Sequence, residues 1–125
     1  MLSNETVTEL FSTIDGMDGE QFAEYLTNDG VFVWGQQMMV TGREQIVAGV
    51  NAFYKTIKSL KHSKLVSWDG GDGETMFVHG QVDYVLPNDK TVGLQFLNKF
   101  VLRDGKIAHY HVFIDPTPMF ELLSK

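Results

Sequence analysis

The sequence lacks cysteine altogether, and it is poor in proline and in positive charge. Its 125 residues include no cysteine and only 3 prolines, and 10 Lys and Arg stand against 16 Asp and Glu. Without cysteine the chain forms neither disulfides nor thiolate metal sites, which fits a reducing compartment. A formal net charge of -6 disfavours nucleic acid and anionic membranes as partners, because both attract clustered cations.

Long apolar segments are lacking too. No run approaches the roughly 20 residues of a membrane span, and the polar start, residues 1–6, has no features of an export signal. The chain is 43% hydrophobic and 21% charged, a balance typical of globular proteins. These features predict one cytoplasmic domain over residues 1–125, long enough for an ordinary core.

Helical spacing is confined to the first half of the chain. The first predicted helix has apolar residues at i, i+3, i+4 and i+7, namely Val7, Leu10, Phe11 and Ile14. Asp18 is a suitable cap for a second short helix, and Gly42 precedes a third and longer one. A strand is predicted at residues 31–34, between the second and third helices.

From residue 62 the apolar residues alternate instead. Strands are predicted at 62–69, 75–86, 91–102 and 106–114, separated by turns rich in Gly, Asn and Asp. Such short loops make consecutive strands antiparallel neighbours. The order predicts an α+β fold in which three N-terminal helices pack on a curved antiparallel sheet.

Four segments resemble one known superfamily. The segments "DGMDGEQF", "NDGVFVW", "TGREQI" and "RDGKIAHYHVFID" are similar to the nuclear transport factor 2-like superfamily, in its SnoaL-like and ketosteroid isomerase-like branch. The resemblance covers nearly the whole chain. It implies a cystatin-like cone with an internal pocket for a small molecule, and the fold hosts both enzymes and non-catalytic binding proteins.

Hairpin register predicts which side chains face the pocket. A turn centred between Asn88 and Asp89 places Gln81 opposite Phe96 and Asp83 opposite Leu94, and opposed residues share a face. Carried across the sheet, this register predicts an inner face with His62, Gln81, Asp83, Phe96, Asn98, Tyr110 and Val112. Trp34 and Tyr54 are plausible neighbours of that cluster.

Asp83 is the main candidate for chemistry. A carboxylate on an apolar inner face suits general acid or base catalysis, and His62, placed diagonally to it, could share its proton near neutral pH. The alternative is a structural carboxylate paired with His62, Tyr54 or a backbone donor. The resemblance places Asp83 where limonene epoxide hydrolase-like enzymes carry a catalytic aspartate, but the other two members of that set fall on Gln81 and Val112.

The remaining polar candidates are orienting groups. Asn98, Tyr110 and Gln81 could hold a carbonyl or hydroxyl of a ligand, whereas Trp34 and Tyr54 are equally well explained as core aromatics with a polar tip. The H-x-H pair, His109 and His111, is predicted on the outer face without a third ligand, so neither a metal nor another cofactor is predicted.

Two further catalytic sets known in this superfamily are incomplete in the sequence. The base, tyrosine and acid of ketosteroid isomerases would fall on Trp34, Leu10 and Asn98, although Tyr54 matches their supporting tyrosine. The aspartate and histidine of polyketide cyclases would fall on Val112 and Asn98. Two hypotheses therefore stand. The pocket binds a largely apolar ligand with one or two polar groups and carries out proton transfer, isomerisation, dehydration or hydrolysis, or the domain is a non-catalytic binding or dimerisation module.

The outer face predicts self-association. The same register places apolar side chains outward on neighbouring strands, namely Val78, Val82, Tyr84, Leu97 and Phe113. No helix remains to cover them, and a monomer seldom leaves so large an apolar patch in water. A homodimer through this face is therefore expected, and the resemblance implies the same surface.

Overall fold

The computed structural model describes residues 1–124 as helices that precede and flank a six-stranded sheet. The helices are α1 (Asn4–Asp15), α2 (Gly19–Ala23), α3 (Arg43–Tyr54) and α4 (Thr117–Leu123). The strands are β1 (Leu26–Trp34), β2 (Met38–Thr41), β3 (Ser59–Asp69), β4 (Thr75–Val85), β5 (Thr91–Arg103) and β6 (Lys106–Phe113). None of the helices within residues 1–124 is long and apolar enough to cross a membrane.

Local signals in the sequence account for the first helices. The Ser3 side chain accepts a hydrogen bond from the backbone N–H of Thr6 at 3.1 Å and begins α1. Asp18 accepts from the N–H groups of Glu20 and Gln21 and begins α2 in the same way. The buried stripe of α1 is the predicted one, Val7, Leu10, Phe11 and Ile14. The three predicted helices are confirmed.

The strands form one sheet in the order β2-β1-β6-β5-β4-β3. Helices α1 to α3 pack against its inner face, so the predicted α+β architecture is confirmed. Two details differ from the prediction. β1 and β6 pair in parallel, whereas the other pairs are antiparallel, and the four-residue strand β2 carries no alternation clear enough to be predicted.

The hairpin between β4 and β5 corrects the predicted register. The last pair before the loop is Val85 with Thr91, so five residues form the connection, and Asp89 adopts a left-handed φ of 64° within it. The predicted register assumed an even number of residues in this loop. One additional residue exchanges the two faces of β4, because side chains alternate with period 2.

The consequence is that every inward assignment on β4 was inverted. Val78, Val82 and Tyr84, predicted on the outer face, are buried in the core. Gly80 lies on the same inward face of β4. A Cβ atom added to it would lie 2.8 Å from Leu65 and 2.9 Å from Phe96. Only glycine leaves room for that aromatic ring.

A bulge in β3 is the second irregularity of register. Pairing shifts between Ser63 and Val66, where Lys64 has a φ of 56°. Ahead of the bulge, His62 lies opposite Val82 rather than Gln81. The two one-residue errors cancel for His62, so its predicted inward direction is correct although its predicted neighbour was wrong.

Candidate functional site

A cavity lies between the curved sheet and the helices α1 to α3. Its space is about 560 Å³, including the solvent at its opening. Most of the wall is aromatic or aliphatic, and the polar groups on it come from a few side chains. The residues that contribute them are Trp34, Tyr54, His62, Tyr84, Asn98 and Tyr110.

The most distinctive feature of the wall is a histidine–aspartate pair. Nδ1 of His62 donates to Oδ1 of Asp15 at 2.6 Å, and both side chains are largely buried. The same carboxylate accepts the backbone N–H of His62 at 3.1 and 3.2 Å. The imidazole also packs against the rings of Phe11, at 4.9 Å, and Phe96, at 5.3 Å. Its orientation is thus determined from several sides.

This arrangement leaves one ring nitrogen for the cavity. Because Nδ1 of His62 is engaged with Asp15, Nε2 is the nitrogen available to a ligand. A carboxylate on Nδ1 fixes the tautomer of the ring. The pair is therefore able to take up and return a proton within an apolar enclosure.

A second polar pair lies on β5 and β6. Asn98 and Tyr110 are each only 2% exposed, and Nδ2 of the amide donates to the phenol oxygen at 3.2 Å. The Tyr110 ring is surrounded by Phe22, Phe32 and Phe100 at centroid distances of 5.3, 5.3 and 4.5 Å. Oδ1 of Asn98 has no hydrogen-bond partner among residues 1–124.

Three tyrosines of the wall stay protonated at neutral pH. Burial raises the pKa of Tyr54, Tyr84 and Tyr110 above the ordinary value. The negative charge on Asp15 raises the pKa of Tyr54 further. The hydrogen bond from Asn98 acts against burial and lowers the pKa of Tyr110 in part. The wall therefore presents neutral hydroxyl groups.

Most residues predicted for the pocket do line it. The structure places seven of them in the cavity wall: Trp34, Tyr54, His62, Phe96, Asn98, Tyr110 and Val112. The period-2 alternation of β5 and β6 is the predicted one, and it places four of the seven there: Phe96, Asn98, Tyr110 and Val112. Tyr54 enters from the end of α3 and Trp34 from the end of β1.

Asp83 and Gln81 are not in the cavity, and their predicted positions are wrong. Both lie on the outer face of β4, where Asp83 is exposed and accepts a hydrogen bond from the Gln81 amide at 3.0 Å. The cause is the five-residue loop described above. Asp83 is therefore withdrawn as the acid or base of the pocket, and it does not pair with His62.

The partner of His62 was missed by the sequence reading. Asp15 ends α1 and lies 47 residues before the histidine, so no local pattern connects them. A weak signal did exist. An aspartate is unfavourable at the C-terminus of a helix, where the macrodipole is negative, unless another group compensates for it. His62 is that group.

The outer sheet face carries only part of the predicted set: Leu97 and Phe113 lie there, whereas Val78, Val82 and Tyr84 are buried. One cross-strand row consists of Val66, His79, Leu97 and Phe113, and the next contains Trp68, Phe77, Lys99 and His111. Val66 and Trp68 are both 50% exposed, and Phe113 is 47% exposed. We call these two rows the outer band.

The predicted outward direction of His109 and His111 is confirmed. His111 stacks on Phe113 at 3.9 Å, and burial together with His109 and Lys99 lowers the pKa of His111. Over the described part of the chain, residues 1–124, no three His, Asp or Glu side chains are grouped so that they could hold a metal ion.

Comparison with known protein families shows to which family the chain belongs. Residues 7–110 match the profile of the SnoaL-like domain, which is most of the sequence. The chain belongs to the SnoaL-like domain family. The predicted resemblance to this branch of the nuclear transport factor 2-like superfamily is thereby confirmed. No curated protein sequence matches this SnoaL-like domain.

Solved structures agree on the fold at low sequence identity. A nuclear transport factor 2-like protein of unknown function from Burkholderia pseudomallei superimposes with a TM-score of 0.86 at 16% identity, over 99% of this chain and 100% of the other. A candidate polyketide cyclase from Xanthomonas campestris gives 0.82 at 16% identity, over 94% and 93%. TerC, co-crystallised with polyporic acid, gives 0.81 at 17% identity, over 97% of each chain. The SnoaL-like domain thus shares its fold with proteins described as cyclases and with others of unknown activity.

Proposed function

We propose that this SnoaL-like domain binds a largely apolar small molecule in its cavity and transfers a proton on it, with His62 as the acid and base. One observation carries the proposal. The cavity wall includes an imidazole that donates to a carboxylate at 2.6 Å and leaves its second nitrogen for the ligand. In an enclosure of apolar side chains, water competes little for that proton.

The role of each group follows from its position. Nε2 of His62 removes a proton from carbon or oxygen of the ligand, and Asp15 stabilises the imidazolium that results. The same imidazolium then returns the proton at a second atom of the ligand. Isomerisation, dehydration and cyclisation all consist of such steps. The candidate polyketide cyclase among the structural neighbours, and the neighbour crystallised with polyporic acid, support a cyclase-type role for the cavity.

A generic base-sensitive compound tests the proposal without knowledge of the natural ligand. Nitrobenzisoxazole is apolar and opens when a base removes its ring proton, and the phenolate product absorbs visible light. The wild-type protein is expected to accelerate this reaction, and His62→Gln is expected to lower the rate at saturating probe by about tenfold or more. His79→Gln, a change on the outer face of β4, is the matched control and should retain the wild-type rate.

The alternative, a non-catalytic binding module, makes a different prediction for the same experiment. If the probe saturates the cavity and the wild-type rate equals that of His62→Gln, the domain binds without proton transfer. If both histidine variants lose the same fraction of the rate, the reacting base is not in the cavity. Either result overturns the catalytic proposal.

We also propose a homodimer through the outer band. Exposed aromatic and aliphatic side chains there, with Trp68 and Phe113 half exposed, support an interface of the mixed apolar and polar kind. Nucleic acid and membranes remain disfavoured as partners by the net charge of -6. A cytoplasmic location is proposed on the absence of cysteine from the 125-residue sequence.

A further inference from the structure

The Asn98 amide is an incomplete hydrogen-bonding group inside the cavity wall. The residue is 2% exposed, it lines the cavity, and its Oδ1 finds no partner in the described residues 1–124. Buried side-chain oxygens in native proteins are nearly always paired, because losing water without a replacement is costly. Its position in the wall makes a bound ligand the natural source of the missing donor.

Tyr110 complements this acceptor. Its oxygen accepts the Asn98 N–H at 3.2 Å, so its own O–H proton is still free to donate. Burial raises the pKa of Tyr110, which keeps that proton in place. The rings of Phe22, Phe32 and Phe100 prevent the phenol from turning away.

The complementarity does not depend on which way the amide is turned. With Nδ2 toward the phenol, Asn98 offers an acceptor and Tyr110 a donor. With the amide rotated by a half turn, Asn98 offers a donor and the Tyr110 oxygen an acceptor. In both orientations the pair presents one donor and one acceptor to the same ligand group. A hydroxyl group both donates and accepts, whereas an ether or a ketone only accepts.

The charge of the wall restricts the ligand further. No Lys, Arg, Asp or Glu lines this cavity among residues 1–124. The carboxylate next to the wall, Asp15, is hydrogen-bonded to His62. A ligand carboxylate would therefore be buried without a cation to pair with, and a ligand ammonium would find no carboxylate in the wall itself, so both are unfavourable.

We propose that the cavity selects neutral, largely apolar molecules that carry a hydroxyl group, an alcohol or a phenol, and that the Asn98–Tyr110 pair holds this hydroxyl. The hydroxyl donates to one member of the pair and accepts from the other. This inference rests on the proposed function of the cavity as a small-molecule site, and it adds the chemical class of the ligand and the residues that select it.

Three probes of nearly equal shape isolate the hydroxyl. Thymol carries a phenol, thymol methyl ether carries the same oxygen without a donor, and p-cymene lacks the oxygen. Affinities are measured by titration of methyl NMR signals from Ile14, Val50 and Val82, which line the cavity and so report the place of binding. Wild-type protein is expected to bind thymol about tenfold more tightly than either of the other two.

The variants assign that preference to the pair. Asn98→Leu should bring the ratio of affinities close to one, because leucine keeps the branched shape and removes the amide. Tyr110→Phe should reduce the preference for thymol while leaving the affinity for p-cymene unchanged. If Asn98→Leu does not give the NMR spectrum of a native fold, Tyr110→Phe alone tests the pair. Gln95→Leu makes the same kind of change on the other face of β5 and should retain the wild-type ratio.

The possible failures are distinct. Equal binding of the three probes by wild-type protein, or a thymol preference that survives in both Asn98→Leu and Tyr110→Phe, overturns the hydroxyl subsite and leaves the apolar cavity and its histidine untouched. Equal binding would mean that a retained water pairs with Asn98. If none of the three probes moves the methyl signals, the cavity does not bind small apolar molecules, and the proposed function is overturned together with the subsite.

Discussion

At the scale of single residues, the chemistry of the site depends on which carboxylate accompanies His62. Asp15 accepts hydrogen bonds from both the ring and the backbone of that histidine. Asp83 is exposed on the opposite face of the sheet and contacts the Gln81 amide. The two aspartates therefore differ in what their negative charge can stabilise, and only Asp15 can influence a proton on His62.

A pair of matched substitutions separates their roles. Asp15→Asn should lower the rate with nitrobenzisoxazole by about tenfold, because the imidazolium loses its counter-charge. It should also destabilise the fold by about 1–2 kcal/mol, through the loss of a charge-assisted hydrogen bond. Asp83→Asn, the same chemical change outside the cavity, should leave the rate unaltered and the stability within about 0.5 kcal/mol. Initial rates and urea unfolding give the two readouts; a larger loss of rate in Asp83→Asn than in Asp15→Asn would contradict the assignment.

At the scale of secondary-structure elements, the register of β4 decides the composition of both faces of the sheet. The surroundings of two glycines on neighbouring strands depend on this register. A Cβ at Gly80 would meet Phe96 at 2.9 Å in the cavity wall. A Cβ at Gly93 would meet Oδ1 of Asp83 at 2.7 Å, but that atom is the free end of an exposed side chain and can rotate away.

Replacing each glycine by alanine tests this register. Gly80→Ala is expected to reduce the free energy of unfolding by about 1–2 kcal/mol, because Phe96 must shift within a packed wall. Gly93→Ala is expected to cost less than about 0.5 kcal/mol. Both changes lower the backbone entropy of the unfolded chain equally, so the difference isolates the contact. Urea denaturation measures both variants, and equal stabilities would mean that Gly80 faces solvent.

At the scale of the whole molecule, the outer band is an apolar surface that the helices do not cover. Its members come from β3, β4, β5 and β6, so it forms only when those strands pair in the observed register. His111 stacks flat on Phe113, and its lowered pKa favours the uncharged ring. A partly aromatic surface of this kind, in which Lys99 carries the charge, is suited to a second copy of itself.

Sedimentation at micromolar concentration tests the dimer. The wild-type chain is expected to sediment at twice its 14.1 kDa mass, and Phe113→Lys to shift it toward the monomer, because two lysines would approach each other across a two-fold axis. Phe120→Lys, at an exposed phenylalanine of α4, is the control and should stay dimeric. A wild-type species of 14.1 kDa, or a dimer unaffected by Phe113→Lys, would exclude this interface.

Sequence alone determined most of the elements, though not β2, and the fold class, because these depend on nearby residues. The apolar spacing of α1, the cap at Asp18 and the alternation along β5 and β6 are local, and they placed Asn98, Tyr110 and Val112 in the cavity wall correctly. Family resemblance supplied the cavity itself, and the match over residues 7–110 confirms the family.

Tertiary structure decided the register of β4 and the partner of His62. One extra loop residue and one bulged residue cannot be counted from apolar alternation, because backbone conformations such as the left-handed Asp89 and Lys64 set them. The pairing of Asp15 with His62 joins positions 47 residues apart, and it exists only because α1 packs against β3. The sequence therefore predicted the cavity, whereas the tertiary structure determined which carboxylate pairs with His62 in its wall.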